Sequence, residues 1–179
     1  MQDVVHLVSF MKPRIPTICF IAPGSGYGKT ELIEGVIIRL SKKLKICGLK
    51  HSGHDFEPDK DKDTWRFRNA GATASAIITE GGLAAFFVPD TSLEGAIKFL
   101  SRLNPDLILC EGFKSSTLPK ILILKEEEEF GVLPCLEAVL AVVFERQAPA
   151  WVKIPVLKKN PQVVAEFVLN YYRQAKGRI

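Results

Sequence analysis

Along the chain the apolar residues switch repeatedly between two spacings. "TICFIA" (17–22) is an unbroken apolar run with β-branched residues, the pattern of a strand buried on both faces. From Lys29 to Leu44 the apolar positions are Leu32, Ile33, Val36, Ile37, Leu40 and Leu44, with Glu31, Glu34, Arg39 and Lys42 on the other side. That is the stripe of an amphipathic helix. "KICGLK" (45–50) returns to strand character, so residues 17–50 read as a parallel strand–helix–strand unit with a right-handed crossover.

After a polar stretch (51–61), "KDTWRFRNAGA" predicts a short helix ending at Gly71. "ASAIITEGGLAAFFV" (74–88) holds two apolar runs on either side of Glu80-Gly81-Gly82, which predicts a β-hairpin. "DTSLEGAIKFLSRL" (90–103) opens on capping residues and continues at helical spacing. "DLILCEGF" (106–113), "KILILK" (120–125), "AVLAVVF" (138–144) and "IPVL" (154–157) are further strands, and the acidic run Glu126–Glu129 reads as a solvated loop. Asn160-Pro161 starts a terminal helix. The pattern predicts an α/β fold of three layers, with a mainly parallel sheet and an inserted hairpin at about 74–88. Residues 17–179 would form this domain and residues 1–16 an N-terminal extension, within which Met11 is a possible natural start.

Composition changes this picture little. The 179 residues, 47% hydrophobic and 25% charged, suit one globular domain. A net charge of +4 suits phosphate-bearing ligands and is too small and dispersed for a nucleic-acid binder. No stretch is apolar enough to span a membrane, and the N-terminus lacks the basic and small-residue marks of a signal peptide. Cys19, Cys47, Cys110 and Cys135 stand at no zinc or redox spacing; three fall within strand-like runs, as buried free thiols of a reducing cytoplasm would.

The chemistry concentrates at "PGSGYGKTELI" (23–33), where a buried strand breaks into glycines and an amphipathic helix follows. In that context Gly28-Lys29-Thr30 marks a phosphate-binding loop of the Walker A kind. Gly24, Ser25, Gly26, Tyr27, Gly28 and Glu31 would cradle phosphates with backbone N–H groups at the positive end of the helix. Lys29 would reach the β- and γ-phosphates, and Thr30 would hold Mg²⁺. The loop departs from the full G-x-x-x-x-G-K-[ST] pattern at Pro23, where the pattern has glycine. Glu111, at the end of a buried strand, is the candidate second metal ligand, ahead of Asp106 at the strand's other end. In "LKHSGHDFEPDKDKDTWRFRNAGA" (49–72), Asp55, Asp59 and Asp63 are candidates to orient water or Mg²⁺, and Arg66 and Arg68 to meet phosphates. A zinc site at His51 and His54 is disfavoured, because no further Cys or His stands at ligand spacing.

Together the loop, the 49–72 segment and "PDLILCEGFKSSTLPKI" resemble the molybdopterin-guanine dinucleotide biosynthesis adaptor family (MobB), over about Thr17 to Leu124. The resemblance implies a dimeric P-loop protein that binds GTP with Mg²⁺, hydrolyses it slowly and assists the guanylyltransferase that attaches GMP to molybdopterin. The hairpin would contribute to the dimer. It further implies that Lys50, His51, His54, Asp55 and Asp59 line the nucleotide or pterin side, with Gly112, Phe113 and Lys114 as a second signature beside Glu111. The chain departs from the family where "DKDKDT" replaces a Pro-Gly-Lys-Asp-Ser/Thr turn and where Ser52-Gly53 follows Lys-His. It also has no Asn/Thr-Lys-x-Asp guanine-reading motif, so the residues alone leave GTP and ATP open. "FERQAP" (144–149) is a candidate to approach the base. The alternative from another class is a small-molecule kinase on the same loop, which would need an arginine-bearing lid.

Overall fold

The computed structural model describes residues 15–52, 59–87 and 92–177. Residues 1–14 and the candidates His54 and Asp55 lie outside the described residues.

Six strands form one parallel sheet: β1 (Thr17–Ile21), β2 (Ile46–Lys50), β5 (Leu107–Glu111), β6 (Lys120–Ile123), β7 (Val139–Val143) and β8 (Val156–Leu157), in the order β2-β5-β1-β6-β7-β8. The expected unit over 17–50 is present, but β5 lies between β1 and β2. The cause is visible in composition. Leu107–Cys110 is apolar throughout and buried on both faces, whereas β2 is only half-buried and takes the edge.

Alternate side chains of each strand enter different layers. Ile18 and Phe20 join Leu107, Leu109, Ile121 and Ile123 under α1 (Lys29–Leu40) and α4 (Pro161–Gly177). Cys19 and Ile21 join Ile108, Cys110, Leu122 and Phe130 on the opposite face, against α3 (Leu93–Ser101) and a 3-10 helix at Glu127–Cys135. The three-layer α/β expectation holds. Helix α1 ends one turn before Leu44, yet the Leu44 N–H still bonds the Leu40 carbonyl at 2.9 Å and the leucine stays in the core. Ser92 caps α3 by accepting the Gly95 N–H at 2.9 Å, and Asn160 Oδ1 accepts the Gln162 N–H at 2.8 Å at the head of α4.

The acidic run is not a plain solvated loop. Glu129 turns back to accept the N–H groups of Lys125 (2.8 Å) and Glu126 (3.1 Å), which winds the segment into the 3-10 helix. Cys19 and Cys110 are buried neighbours in the β1–β5 register, Cys47 is half-buried and Cys135 exposed; all four are free thiols. Among the described residues no helix is long and apolar enough to cross a membrane.

The hairpin β3 (Ala74–Thr79) and β4 (Gly82–Phe87) forms a separate antiparallel sheet. It is tied to α2 (Asp63–Asn69) by one buried cation: Arg68 meets Asp59 with two contacts (2.7 and 2.8 Å) and donates to Ser75 Oγ at 2.8 Å. The Arg68 guanidinium, helped by Thr64, holds the Asp59 carboxyl at about 2, against the burial that would raise it. A carboxyl depressed in the fold stabilises above its ordinary value of about 4 and loses that contribution as pH falls further. The thermal midpoint of the protein should therefore exceed that of Asp59→Asn at neutral pH. The gap should close as pH falls from about 4 to 2, read by calorimetry in parallel acid titrations.

Candidate functional site

The site lies at the C-terminal ends of the parallel strands, where β1 turns into α1. Residues 22–28 make that turn, and Gly26 (φ 73°) and Gly28 (φ 69°) adopt left-handed backbone that a side chain would strain. Gly28 caps α1, accepting the Leu32 N–H at 3.1 Å. Lys29 folds back over the loop, its ammonium donating to the Gly24 carbonyl at 2.7 Å. The loop therefore curls around the place where Lys29 would meet an anion, with the first N–H groups of α1 beside it.

Parallel register brings the remaining polar groups to the same edge. Glu111 stands opposite Phe20 on one side and Lys50 on the other. Its Oε2 accepts the Thr30 hydroxyl at 2.6 Å, and its Oε1 lies 3.4 Å from the Lys50 ammonium. Thr30 and Glu111 thus present two hard oxygens to one point beside the Lys29 loop. Among the described residues no group of three or more His, Cys, Asp or Glu could hold a metal. Two protein oxygens are nevertheless the usual complement for Mg²⁺, which keeps waters and takes the rest of its shell from phosphates. Asp106 lies at the other end of β5, accepting the Lys45 N–H at 2.9 Å.

Beyond Glu111 the chain turns sharply through Gly112 (φ 96°) and Phe113 (φ 61°). A Cβ on Gly112 would stand 3.1 Å from that of His51, so the close packing of the two turns favours glycine. The His51 ring meets Phe113 edge-on at 5.2 Å. A cleft of about 610 Å³ opens here, lined by Gly24, Lys29, His51, Gly112, Phe113 and Lys114 among others. Ligand pockets commonly have this size.

The structure thus gathers Gly24, Lys29, Thr30, Lys50, His51, Glu111, Gly112 and Lys114 around one loop and cleft. Asp59 and Arg68 engage each other and the hairpin, and Arg66 lies 3.7 Å from Asp63 on the surface of α2. Tyr27 points out of the loop to donate a short hydrogen bond to Glu129, which raises the tyrosine above its ordinary value. Burial would raise Glu129, but the Tyr27 hydroxyl and the two backbone N–H groups hold its carboxyl below the usual range.

The family described as "Molybdopterin guanine dinucleotide synthesis protein B" (MobB) matches residues 17–145. The molybdopterin-guanine dinucleotide biosynthesis adapter protein of Haemophilus influenzae is 30% identical over 178 residues, covering 97% of this chain and 99% of the relative. The probable adapter protein of Bacillus subtilis is 32% identical over 156 residues, 84% of this chain and 88% of its own length. The crystal structure of Bacillus subtilis MobB superposes with a TM-score of 0.70 at 28% identity, covering 87% of this chain and 96% of that one.

Two residues that shape the site escape a reading of the sequence. Glu129 is hidden in a run of acids, where nothing distinguishes the one that meets Tyr27. Lys120 opens the apolar run of β6 and is completely buried. Its ammonium donates to the carbonyls of Ser116, Leu118 (2.9 Å) and Glu137 (3.1 Å), pinning the loop that follows the cleft-lining residues. A charged residue at the head of a fully apolar central strand is the signal that could have found it. Lys120→Met would leave three part-buried carbonyls without this donor, and should cost about 2–4 kcal/mol in urea unfolding with an unchanged slope.

Proposed function

The chain belongs to the MobB family and is an adapter of molybdopterin guanine dinucleotide biosynthesis, and we propose that it does this work as a GTP-binding protein. The observation that carries the reading is the convergence of Lys29, Thr30 and Glu111 at the end of β1, with the Thr30 hydroxyl 2.6 Å from the Glu111 carboxylate.

In this reading the loop amides from Gly24 to Thr30 surround the β-phosphate. Lys29 would exchange the Gly24 carbonyl for phosphate oxygen, and Thr30 and Glu111 are the residues that would hold Mg²⁺. Mg²⁺ would supply charge neutralisation across the phosphates. Lys50, 3.4 Å from Glu111 Oε1, holds that carboxylate beside Thr30. The choice of GTP over ATP rests on the family.

Hydrolysis would be slow. Among the described residues Arg68 and Arg146 each stand within 2.7 Å of a carboxylate, and no arginine lines the cleft as an arginine finger would. The same pairing works against the kinase alternative, which needs arginines on a lid. The natural partners are the guanylyltransferase and molybdopterin or its guanine dinucleotide, with the 610 Å³ cleft beside Lys114 as the place for the pterin-bearing ligand. A second copy of the chain would cover the exposed apolar face of the hairpin, where Ile78 is 82% and Leu83 70% exposed.

Titration calorimetry with GTP and ATP in Mg²⁺ tests the reading. GTP should bind more tightly than ATP, and Lys29→Ala should weaken it more than about ten-fold. Glu111→Gln should weaken binding only when Mg²⁺ is present and match the native protein in chelator. Equal affinity for ATP, or a Lys29→Ala protein that binds normally, would sink the proposal.

A further inference from the structure

The chain returns to the phosphate loop once more, from the far edge of the sheet. After β8 the Asn160 N–H bonds the Lys158 carbonyl at 2.7 Å, and Pro161 then begins α4. Pro161 packs so closely on α1 that a Cβ on Gly35 would lie 2.7 Å from its ring atoms. Two turns earlier on α1, a Cβ on Gly28 would lie 2.7 Å from the Lys159 ammonium nitrogen and 3.2 Å from its Cε. Gly28 and Gly35 share one helix face, so the 159–161 segment lies along a track that two glycines keep open. The backbone there is fixed as well. The Lys159 N–H donates to Glu145 Oε1 at 2.7 Å, and the Phe144 N–H to the Leu157 carbonyl at 2.9 Å.

The ammonium of Lys159 therefore rests against the N-cap of α1, at the positive end of that helix and in the same loop as Lys29. A cation gains nothing from a helix N-terminus. Among the described residues the ion pairs are Lys50–Glu111, Arg66–Asp63, Arg68–Asp59 and Arg146–Glu126, and Lys159 is in none. The Glu31 carboxylate comes within 3.5 Å of the same point on Gly28 without forming an ion pair with Lys159. An anion seated in the loop would turn this placement from unfavourable to favourable.

We propose that Lys159 is a second phosphate-contacting lysine of the nucleotide site, supplied by the β8–α4 connection and meeting the phosphate nearest the nucleoside. The inference rests on the reading of the loop as a nucleoside triphosphate site. Direction follows from topology. Thr30 is turned to Glu111 on β5, which marks the metal side of β1. Lys159 arrives from β8 at the opposite end of the order β2-β5-β1-β6-β7-β8. A nucleotide lying across the loop with its terminal phosphate toward Glu111 points its nucleoside toward the exits of β7 and β8, and the Lys159 ammonium stands on that side.

Calorimetric titration of GTP and GDP into the native protein, Lys159→Met and Lys159→Arg tests it. Loss of one charged contact should weaken both nucleotides by roughly ten-fold in Lys159→Met, and Lys159→Arg should recover most of the affinity. Lys159 is exposed, so the ligand-free unfolding midpoint should not move; if it does, Lys159→Gln takes the place of the methionine variant. Unchanged affinity for both nucleotides would overturn the proposal, and so would a loss confined to GTP, which would place the contact at the terminal phosphate. A native protein that binds neither nucleotide would instead fail the reading of the loop and take this inference with it.

Discussion

The register of β5 between β1 and β2 decides where every group of the site stands. Pairing Phe20 with Glu111 and Lys50 with Glu111 places one carboxylate at the sheet edge between the phosphate loop and a lysine. A shift of one residue would turn the Glu111 side chain into the opposite layer and leave Thr30 without its partner. The register is held by burial, because Leu107–Cys110 is apolar on both faces and must fit both layers of the core. The catalytic-looking geometry of the edge is therefore a consequence of packing several residues away from it.

Gly28 carries the second constraint. Its left-handed backbone closes the loop onto α1, and its missing side chain leaves room for Lys159. Any other residue would be opposed by backbone strain and would displace the Lys159 side chain. Gly35 repeats the steric requirement against Pro161, so the seating of α4 on α1 and the form of the loop are coupled along one helix face. The apolar contacts of Val164, Ala165 and Val168 with Val36 and Leu40 supply the area that holds this arrangement together.

Much of this was legible in the chain. Continuous apolar runs gave the strands, helical spacing gave α1 and α4, and Ser92 and Asn160 announced their helices by capping chemistry. The positions of Lys29, Thr30 and Glu111 were readable because they follow from local context, a loop between strand and helix and an acid at a strand end. What stayed hidden depends on contacts distant in sequence. The place of β5 between β1 and β2 follows from competition among strands for the inner position. Glu129 is set apart from its neighbours by turning back on the Lys125 and Glu126 N–H groups and by reaching Tyr27, 102 residues away. Lys159 shows no motif at all, and only the packing of α4 brings it to Gly28.

On the proposed reading, the hydrogen bonds of the loop set how it would take up a nucleotide. Lys29 holds the Gly24 carbonyl, Thr30 holds Glu111, and Glu111 holds Lys50, so these three groups already have partners. Binding then exchanges hydrogen bonds for others of similar kind, and the exchange itself contributes little net free energy. The surplus must come from charge: phosphate oxygens in place of a neutral carbonyl at Lys29, and a divalent cation in place of a hydroxyl hydrogen at Glu111. Because these partners also keep the side chains close to their working positions, less ordering remains to oppose binding. Such a site fits the proposed reading, in which the chain binds a nucleotide as an adapter of the MobB family.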